Sequence, residues 1–294
     1  MTDITILDGG MGQELLARTG ATPTGLWATQ VMMDHPDAVQ NVHADYFNAG
    51  ADIATTNTYA VLRDRLAVGG VEDQFEALHA QAMQLASAAR DGHGRGQIAC
   101  SLGPLGWSYK AEFAPPSDEA APLYAEIVGM NDRHVDLFIL ETMCGVDQAR
   151  GGLMGTAATD KPVWLAMSVD DDEGTKLRSG EALADVLPLV EEFGVDAILL
   201  NCSRPEAVSQ GLGVLADAGV PFGAFANGFT SISDSFKEVH ATADRLDVRR
   251  DLGPNEYADF AEAWAAMGAS IIGGCCEVGP AHIAELSRRF KGAS

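Results

Sequence analysis

Eight short apolar runs recur along the chain, at residues 4–7, 51–55, 97–101, 135–140, 163–169, 195–200, 221–226 and 269–272. A short apolar run bounded by turn residues has the pattern of a strand buried on both faces. Between the runs lie amphipathic or alanine-rich segments, at 36–48, 72–90, 117–133, 180–193, 206–218 and 256–267, with helical spacing. Strands that alternate with helices imply a parallel sheet, because parallel neighbours need a long crossover connection. Eight such units predict closure into a single (β/α)8 TIM barrel, a fold that commonly uses ~250 residues. An open doubly wound sheet is the alternative, and the count of eight suits it less well.

Local signals agree with the alternation. Pro36, Pro205 and Pro280 sit where first-turn prolines belong. Ala49-Gly50, Phe193-Gly194 and Ala218-Gly219 fall between a helical segment and the next run, as C-terminal caps would. No linker divides the chain, so residues 1–294 are expected to form one domain. Two connections are long, 106–116 and 227–254. Both follow strands, which would put them over the catalytic face as lids.

Composition narrows the function. With 47% hydrophobic and 21% charged residues, the chain has the make-up of a soluble globular protein. A formal charge of −23 argues against nucleic acid and against anionic membrane surfaces as partners. No charged leader precedes Ile4, and no run approaches the ~18 apolar residues of a spanning helix. Five cysteines in a chain of this size do not suggest a disulfide framework. A reducing cytoplasm, with thiols left for metal or catalysis, is the expected location.

A barrel of this kind carries its chemistry at the C-terminal ends of its strands. Those ends here read Asp8-Gly9-Gly10-Met11-Gly12, Thr55-Thr56-Asn57-Thr58-Tyr59, Gly103-Pro104, Glu141-Thr142-Met143, Asn201-Cys202, Asn227-Gly228 and Gly273-Gly274-Cys275-Cys276. The adjacent pair Cys275-Cys276 is poorly placed to bond to itself, since neighbouring Cα atoms lie only ~3.8 Å apart. Two thiols at one strand end and Cys202 at another could instead hold a zinc ion with one position open, which is the catalytic pattern. The competing reading is three small buried apolar side chains. Asp8 could simply initiate the turn that Gly9-Gly10 completes. The histidines show no hydrolytic zinc spacing, Cys100 and Cys144 read as buried apolar residues, and Asp170-Asp171-Asp172-Glu173 reads as a solvated loop.

This set of motifs, together with Leu177-Arg178-Ser179-Gly180-Glu181 and with Pro280 and His282, resembles the homocysteine S-methyltransferase family. That zinc-dependent barrel is related to betaine–homocysteine methyltransferase and recurs as the homocysteine domain of cobalamin-dependent methionine synthase. The likeness spans nearly the whole chain, and Asn201-Cys202 with Gly273-Gly274-Cys275-Cys276 is its specific part. The resemblance implies that Cys202, Cys275 and Cys276 ligate zinc and that Asp8 and Glu141 hold the α-ammonium of homocysteine. It places Tyr59 and Asn227 beside the metal, where either could fill the fourth position before substrate binds.

The implied activity is transfer of a methyl group from a small onium donor to the homocysteine thiol, giving methionine. A thiol with a pKa near ~8.5 is mostly protonated at neutral pH, and zinc remedies this as a redox-inert Lewis acid. Three or four thiolates around one zinc leave net negative charge, which suits a cationic donor. Trp27, Trp107, Phe225 and Phe229 are candidate walls for such a cation. The seventh strand end reads Asn227-Gly228-Phe229-Thr230, not the Asn-Ser-Gly-Glu typical of plant and bacterial S-methylmethionine users, so betaine and S-adenosylmethionine stay open beside S-methylmethionine. No cobalamin- or folate-binding domain follows residue 294, which favours a diffusible donor. The rival readings are a homocysteine-activating subunit of a corrinoid-dependent system and a non-catalytic zinc or redox-sensing barrel. The sequence carries no signal for oligomeric state.

Overall fold

A computed structural model describes residues 3–232 and 246–292. The strands are β1 (Thr5–Ile6), β2 (Ile53–Thr55), β3 (Gln97–Leu102), β4 (Leu137–Met143), β5 (Val163–Met167), β6 (Ala197–Asn201), β7 (Phe222–Phe225) and β8 (Ile271–Ile272). They form one eight-stranded sheet in the order β1-β8-β7-β6-β5-β4-β3-β2, with every neighbouring pair parallel. The two ends of that order meet through a parallel bridge between Leu7 and Ile53. Asp8 N donates to Ile53 O at 3.0 Å and Asp52 N donates to Ile6 O at 2.7 Å, which closes the barrel. Each of the eight expected runs overlaps one strand, and β3, β4 and β6 extend past the expected ends to Leu102, Met143 and Asn201.

Strand alternation divides the core in two. Leu137 and Ile139 of β4 point inward to meet Leu7, Ala99, Leu199 and Ile271 inside the barrel. Phe138 and Leu140, one residue over, pack outward under the helices. At the inward positions Ala99, Ala166 and Ala197 are small, so the larger Leu, Ile and Phe side chains fit between them.

The outer layer comprises α1 (Met11–Thr19), α2 (Ala28–Asp34), α3 (Pro36–Ala49), α4 (Arg63–Val68), α5 (Phe75–His93), α6 (Ser117–Asn131), α7 (Val146–Thr156), α8 (Leu187–Phe193), α9 (Pro205–Leu215), α10 (Pro254–Ala266) and α11 (Pro280–Lys291). Pro36, Pro205 and Pro280 open their helices as expected, and Pro254 does the same for α10. Gly50 and Gly194 are left-handed C-caps. Gly219 is not a cap: α9 ends earlier, and Gly219 takes its positive φ in the following loop. The expected helix 180–193 is also shorter, reduced to α8 after a 3-10 turn over Leu183–Val186. Pro188 fits this, since it sits in the first turn of α8, where its missing N–H leaves no helical hydrogen bond unmade. Among the described residues no helix is long and apolar enough to cross a membrane.

Candidate metal and substrate site

The C-terminal ends of the strands open into one cavity, whose lining includes Asp8, Tyr59, Glu141, Cys202, Cys275 and Cys276. Cys202 enters immediately after β6, and Cys275 and Cys276 follow the Gly273-Gly274 step after β8. The Cys202 and Cys275 sulfurs are 2.8 Å apart, Cys202 and Cys276 3.8 Å, and Cys275 and Cys276 4.0 Å. All five cysteines are free. A tetrahedral ion with metal–sulfur bonds of ~2.3 Å needs ligand sulfurs ~3.8 Å apart. Two of the three separations already match that, and the third must widen by about an ångström.

The three thiols are not equivalent. Cys202 titrates below the ordinary thiol range because Cys275 and Cys276 donate to it, with help from Tyr109 and the Arg178 guanidinium. Cys275 and Cys276 are pushed up by that same neighbour. Three sulfurs crowded this closely without a cation compete for protons, and a divalent ion held between them would relieve that competition. The donor set and spacing therefore fit a metal ion, and among the described residues this trio is the one cluster of metal-ligating side chains. Cys100 and Cys144, by contrast, are fully buried, and burial raises each thiol to about 12.

The two acids arrive by different local devices. Asp8 follows β1, 3% exposed; its Oδ2 accepts from Thr55 N at 2.7 Å, and Oδ1 from Thr55 Oγ1 at 3.0 Å. Burial, reinforced by Glu141, raises its pKa to about 8 against those stabilising bonds. Glu141 faces inward by the β4 alternation and accepts from Ser101 Oγ, and burial raises it to about 7. Beyond it β4 bulges: Leu140 pairs with Leu165 but Met143 with Met167. Thr142 sits in the bulge at φ 61°, locked by Asn201, whose Oδ1 accepts from Thr142 N and whose Nδ2 donates to Thr142 Oγ1, both at 2.9 Å.

Backbone strain concentrates at this mouth. Among the described residues the non-glycine positions with left-handed φ are Trp27, Tyr109, Thr142, Cys202 and Glu277. The first four line the cavity and the fifth follows Cys276. Such conformations cost roughly 1–2 kcal/mol each and persist where function requires them. Two glycines let the walls close up. A Cβ on Gly12 would stand 2.3 Å from the Trp27 ring, and one on Gly9 2.0 Å from Val278 O.

Several members of the site were not legible in the sequence. Tyr109 is the tyrosine at the sulfurs, its hydroxyl 2.9 Å from Cys202 Sγ. Tyr59 lines the cavity, but its hydroxyl bonds Ser108 Oγ at 2.7 Å. Asn227 is fully buried and outside the cavity lining, with its Oδ1 accepting from Phe229 N at 3.2 Å. It shapes the turn that carries Phe229. Trp27, Trp107, Phe225 and Phe229 all line the cavity. The acidic run 170–173 is not wholly solvated: Asp171 pairs with buried Arg178 at 3.0 Å and accepts from Ile232 N at 2.7 Å. Arg178 in turn donates to Cys202 O at 3.3 Å and lies 5.0 Å from the Tyr109 ring centroid, which ties that loop to the sulfurs. His282 is structural: Nδ1 accepts from Gly279 N and Nε2 reaches Leu252 O. Of the two expected lids, residues 107–110 of the first line the cavity, as do Phe229 and Leu246 of the second; residues 233–245 of the second lie outside the described residues.

Residues 5–290 match the sequence pattern of homocysteine S-methyltransferase. The chain belongs to the homocysteine S-methyltransferase family. It is 28% identical to homocysteine S-methyltransferase of Escherichia coli, an alignment that covers 98% of this chain and 95% of that protein. Homocysteine S-methyltransferase 1 of Arabidopsis thaliana is 27% identical over 97% of this chain and 93% of its own length. The metallated crystal form of the homocysteine methyltransferase MmuM from Escherichia coli superposes with a TM-score of 0.82 at 27% identity, covering 98% of this chain and 96% of that one. The likeness to this family therefore runs the length of the barrel and includes the strand ends that carry the sulfurs.

Proposed function

We propose that the protein transfers a methyl group from a small onium donor to the thiol of homocysteine, giving methionine, with zinc held by Cys202, Cys275 and Cys276. The carrying observation is that three sulfurs from two distant strand ends share one cavity with two buried carboxylates. Zinc in that trio supplies the Lewis acidity that displaces the proton of an incoming thiol, without redox chemistry of its own.

The chain's own residues bind and orient. Asp8 and Glu141 hold the substrate ammonium, each kept in place by a hydroxyl donor, Thr55 or Ser101. Glycines 9, 10 and 12, with Gln13, bring the N-terminus of α1 to the cavity, where the substrate carboxylate meets unpaired backbone N–H groups. The Gln13 carboxamide lines the same cavity and interacts with the Cys276 thiol, which places it to meet the substrate as well. Trp27, Tyr59, Trp107 and Phe229 offer aromatic faces to the donor's cationic methyl group. In-line displacement at a methyl group needs no general base, so positioning carries the rate. We read 1–294 as one homocysteine-binding barrel domain, working where its thiols stay reduced, as in a cytoplasm.

The test is to measure zinc in the purified protein and to assay methionine formation from homocysteine with S-methylmethionine, betaine and S-adenosylmethionine in turn. About one zinc per chain and turnover with at least one donor is the expected result. Bound zinc with no turnover from any of them would remove the proposal and favour the corrinoid-dependent or redox-sensing readings.

A further inference from the structure

We infer that Arg65 binds the carboxylate of the methyl donor, so that the enzyme selects an onium compound carrying a carboxylate over a bare sulfonium or ammonium cation. The inference rests on the methyl-transfer reading above and names the donor's chemical class.

Arg65 lies on α4 and lines the same cavity as the sulfurs and the two acids. Its Nη2 donates to Pro104 O at 3.0 Å and to Ser108 Oγ at 3.3 Å, which fixes the guanidinium without neutralising it. Its Nε is buried and has no hydrogen-bond partner. No ion pair to Arg65 occurs among the described residues, whereas Arg63, two residues away, is bound by Glu126 at 2.6 Å. In a chain with 42 acidic and 19 basic residues, a cavity-lining arginine left without a carboxylate marks a place where an anion is to be supplied.

That anion belongs with the donor. Asp8 and Glu141, held by Thr55 and Ser101, make the acidic end of the cavity and serve the ammonium of homocysteine. Arg65 stands instead against the Tyr59 ring, 5.2 Å from its centroid, and Trp27 meets the same ring edge-on at 6.4 Å. The guanidinium covers one face of Tyr59, so the onium group rests on the neighbouring Trp27 ring, and a carboxylate one to three carbons from its cationic centre reaches back toward Arg65. A bare cation there meets uncompensated positive charge, so Arg65 rejects as well as attracts.

The experiment compares matched pairs, S-methylmethionine against trimethylsulfonium and betaine against tetramethylammonium, on the zinc-loaded wild type, R65M and R65K. R65M should lower kcat/KM for whichever carboxylate donor is used by about 10- to 100-fold, as loss of a charged hydrogen bond implies. Turnover of the carboxylate-free partner should not fall with it, KM for homocysteine should stay unchanged, and R65K should recover part of the loss. R65Q, which can still donate to Pro104 and Ser108, replaces R65M if that variant does not fold. Equal losses on both members of a pair, or a shift in homocysteine KM instead, would overturn the assignment. Calorimetric titration of the four compounds separates this result from the reaction itself. Carboxylate donors that bind wild type and not R65M, with no turnover by either, would sink the methyl-transfer reading and leave Arg65 as the carboxylate site. No binding of either carboxylate donor to wild type would refute Arg65.

Discussion

Asp8→Asn separates substrate binding from metal binding, and the structure predicts opposite signs for its effects on affinity and stability. The wild-type carboxylate spends part of its accepting capacity on Thr55 N and Thr55 Oγ1, and the remainder faces the cavity. Asparagine keeps one acceptor for Thr55 and loses the charge that would hold an ammonium. A hydrogen bond to a charged group contributes about 1.5–3 kcal/mol, so homocysteine affinity should fall about 10- to 100-fold. Zinc content should not change, because Asp8 contributes no atom to the sulfur trio. Stability should move the other way. Burial raises Asp8 from 3.8 to about 8, so across that interval the folded protein keeps a proton that the unfolded chain has released. Its contribution therefore declines as pH rises through the interval, and above it a buried negative charge weakens the empty protein. The neutral amide removes that cost, so the unliganded variant at pH 9 should denature no earlier than wild type. Calorimetry with homocysteine, elemental analysis and urea unfolding at pH 6 and pH 9 check all three effects. The difference in homocysteine affinity between wild type and variant should also widen as pH rises through about 8. Unchanged affinity, or loss of zinc together with affinity, would refute the role assigned to Asp8.

Cys276→Ala should lose zinc and activity while far-ultraviolet circular dichroism stays that of the wild type, since the barrel closes through its strand ladder and not through the sulfurs. Tyr109→Phe removes the hydroxyl 2.9 Å from Cys202 Sγ and should weaken zinc retention about tenfold in competition with a chromophoric chelator, the scale at which groups behind metal ligands act. Asn201→Leu leaves the buried Thr142 N–H without its acceptor and frees the bulge that precedes the fifth strand; denaturant titration should show a loss of about 2–4 kcal/mol, and an unchanged midpoint would count against that account.

The barrel was readable because its signals are local. A buried parallel strand is apolar on both faces, a crossover helix is amphipathic, and each was recognisable within its own few residues. The departures have local causes too. Helix α1 starts directly on the glycine turn after Asp8, which masks its helical spacing, and Pro188 sits in the first turn of α8. The three clustered thiols, Cys202, Cys275 and Cys276, were legible for a different reason. Sulfur chemistry is scarce, and two adjacent cysteines after a buried strand have few other uses.

Sequence alone therefore determined the βα repeat, the face that carries the chemistry, and the cysteine and carboxylate side chains able to perform it. Tertiary structure decided which polar groups meet. Tyr109 rather than Tyr59 touches Cys202, Asp171 clamps Arg178 behind it, and among the described residues Arg65 has no acid partner while Arg63 has one. These choices depend on burial and on contacts between residues far apart in the chain, from Tyr109 to Cys202 and from Thr142 to Asn201. The free energy that shifts Asp8 and Glu141 comes from desolvation, which exists only once the surrounding walls have closed.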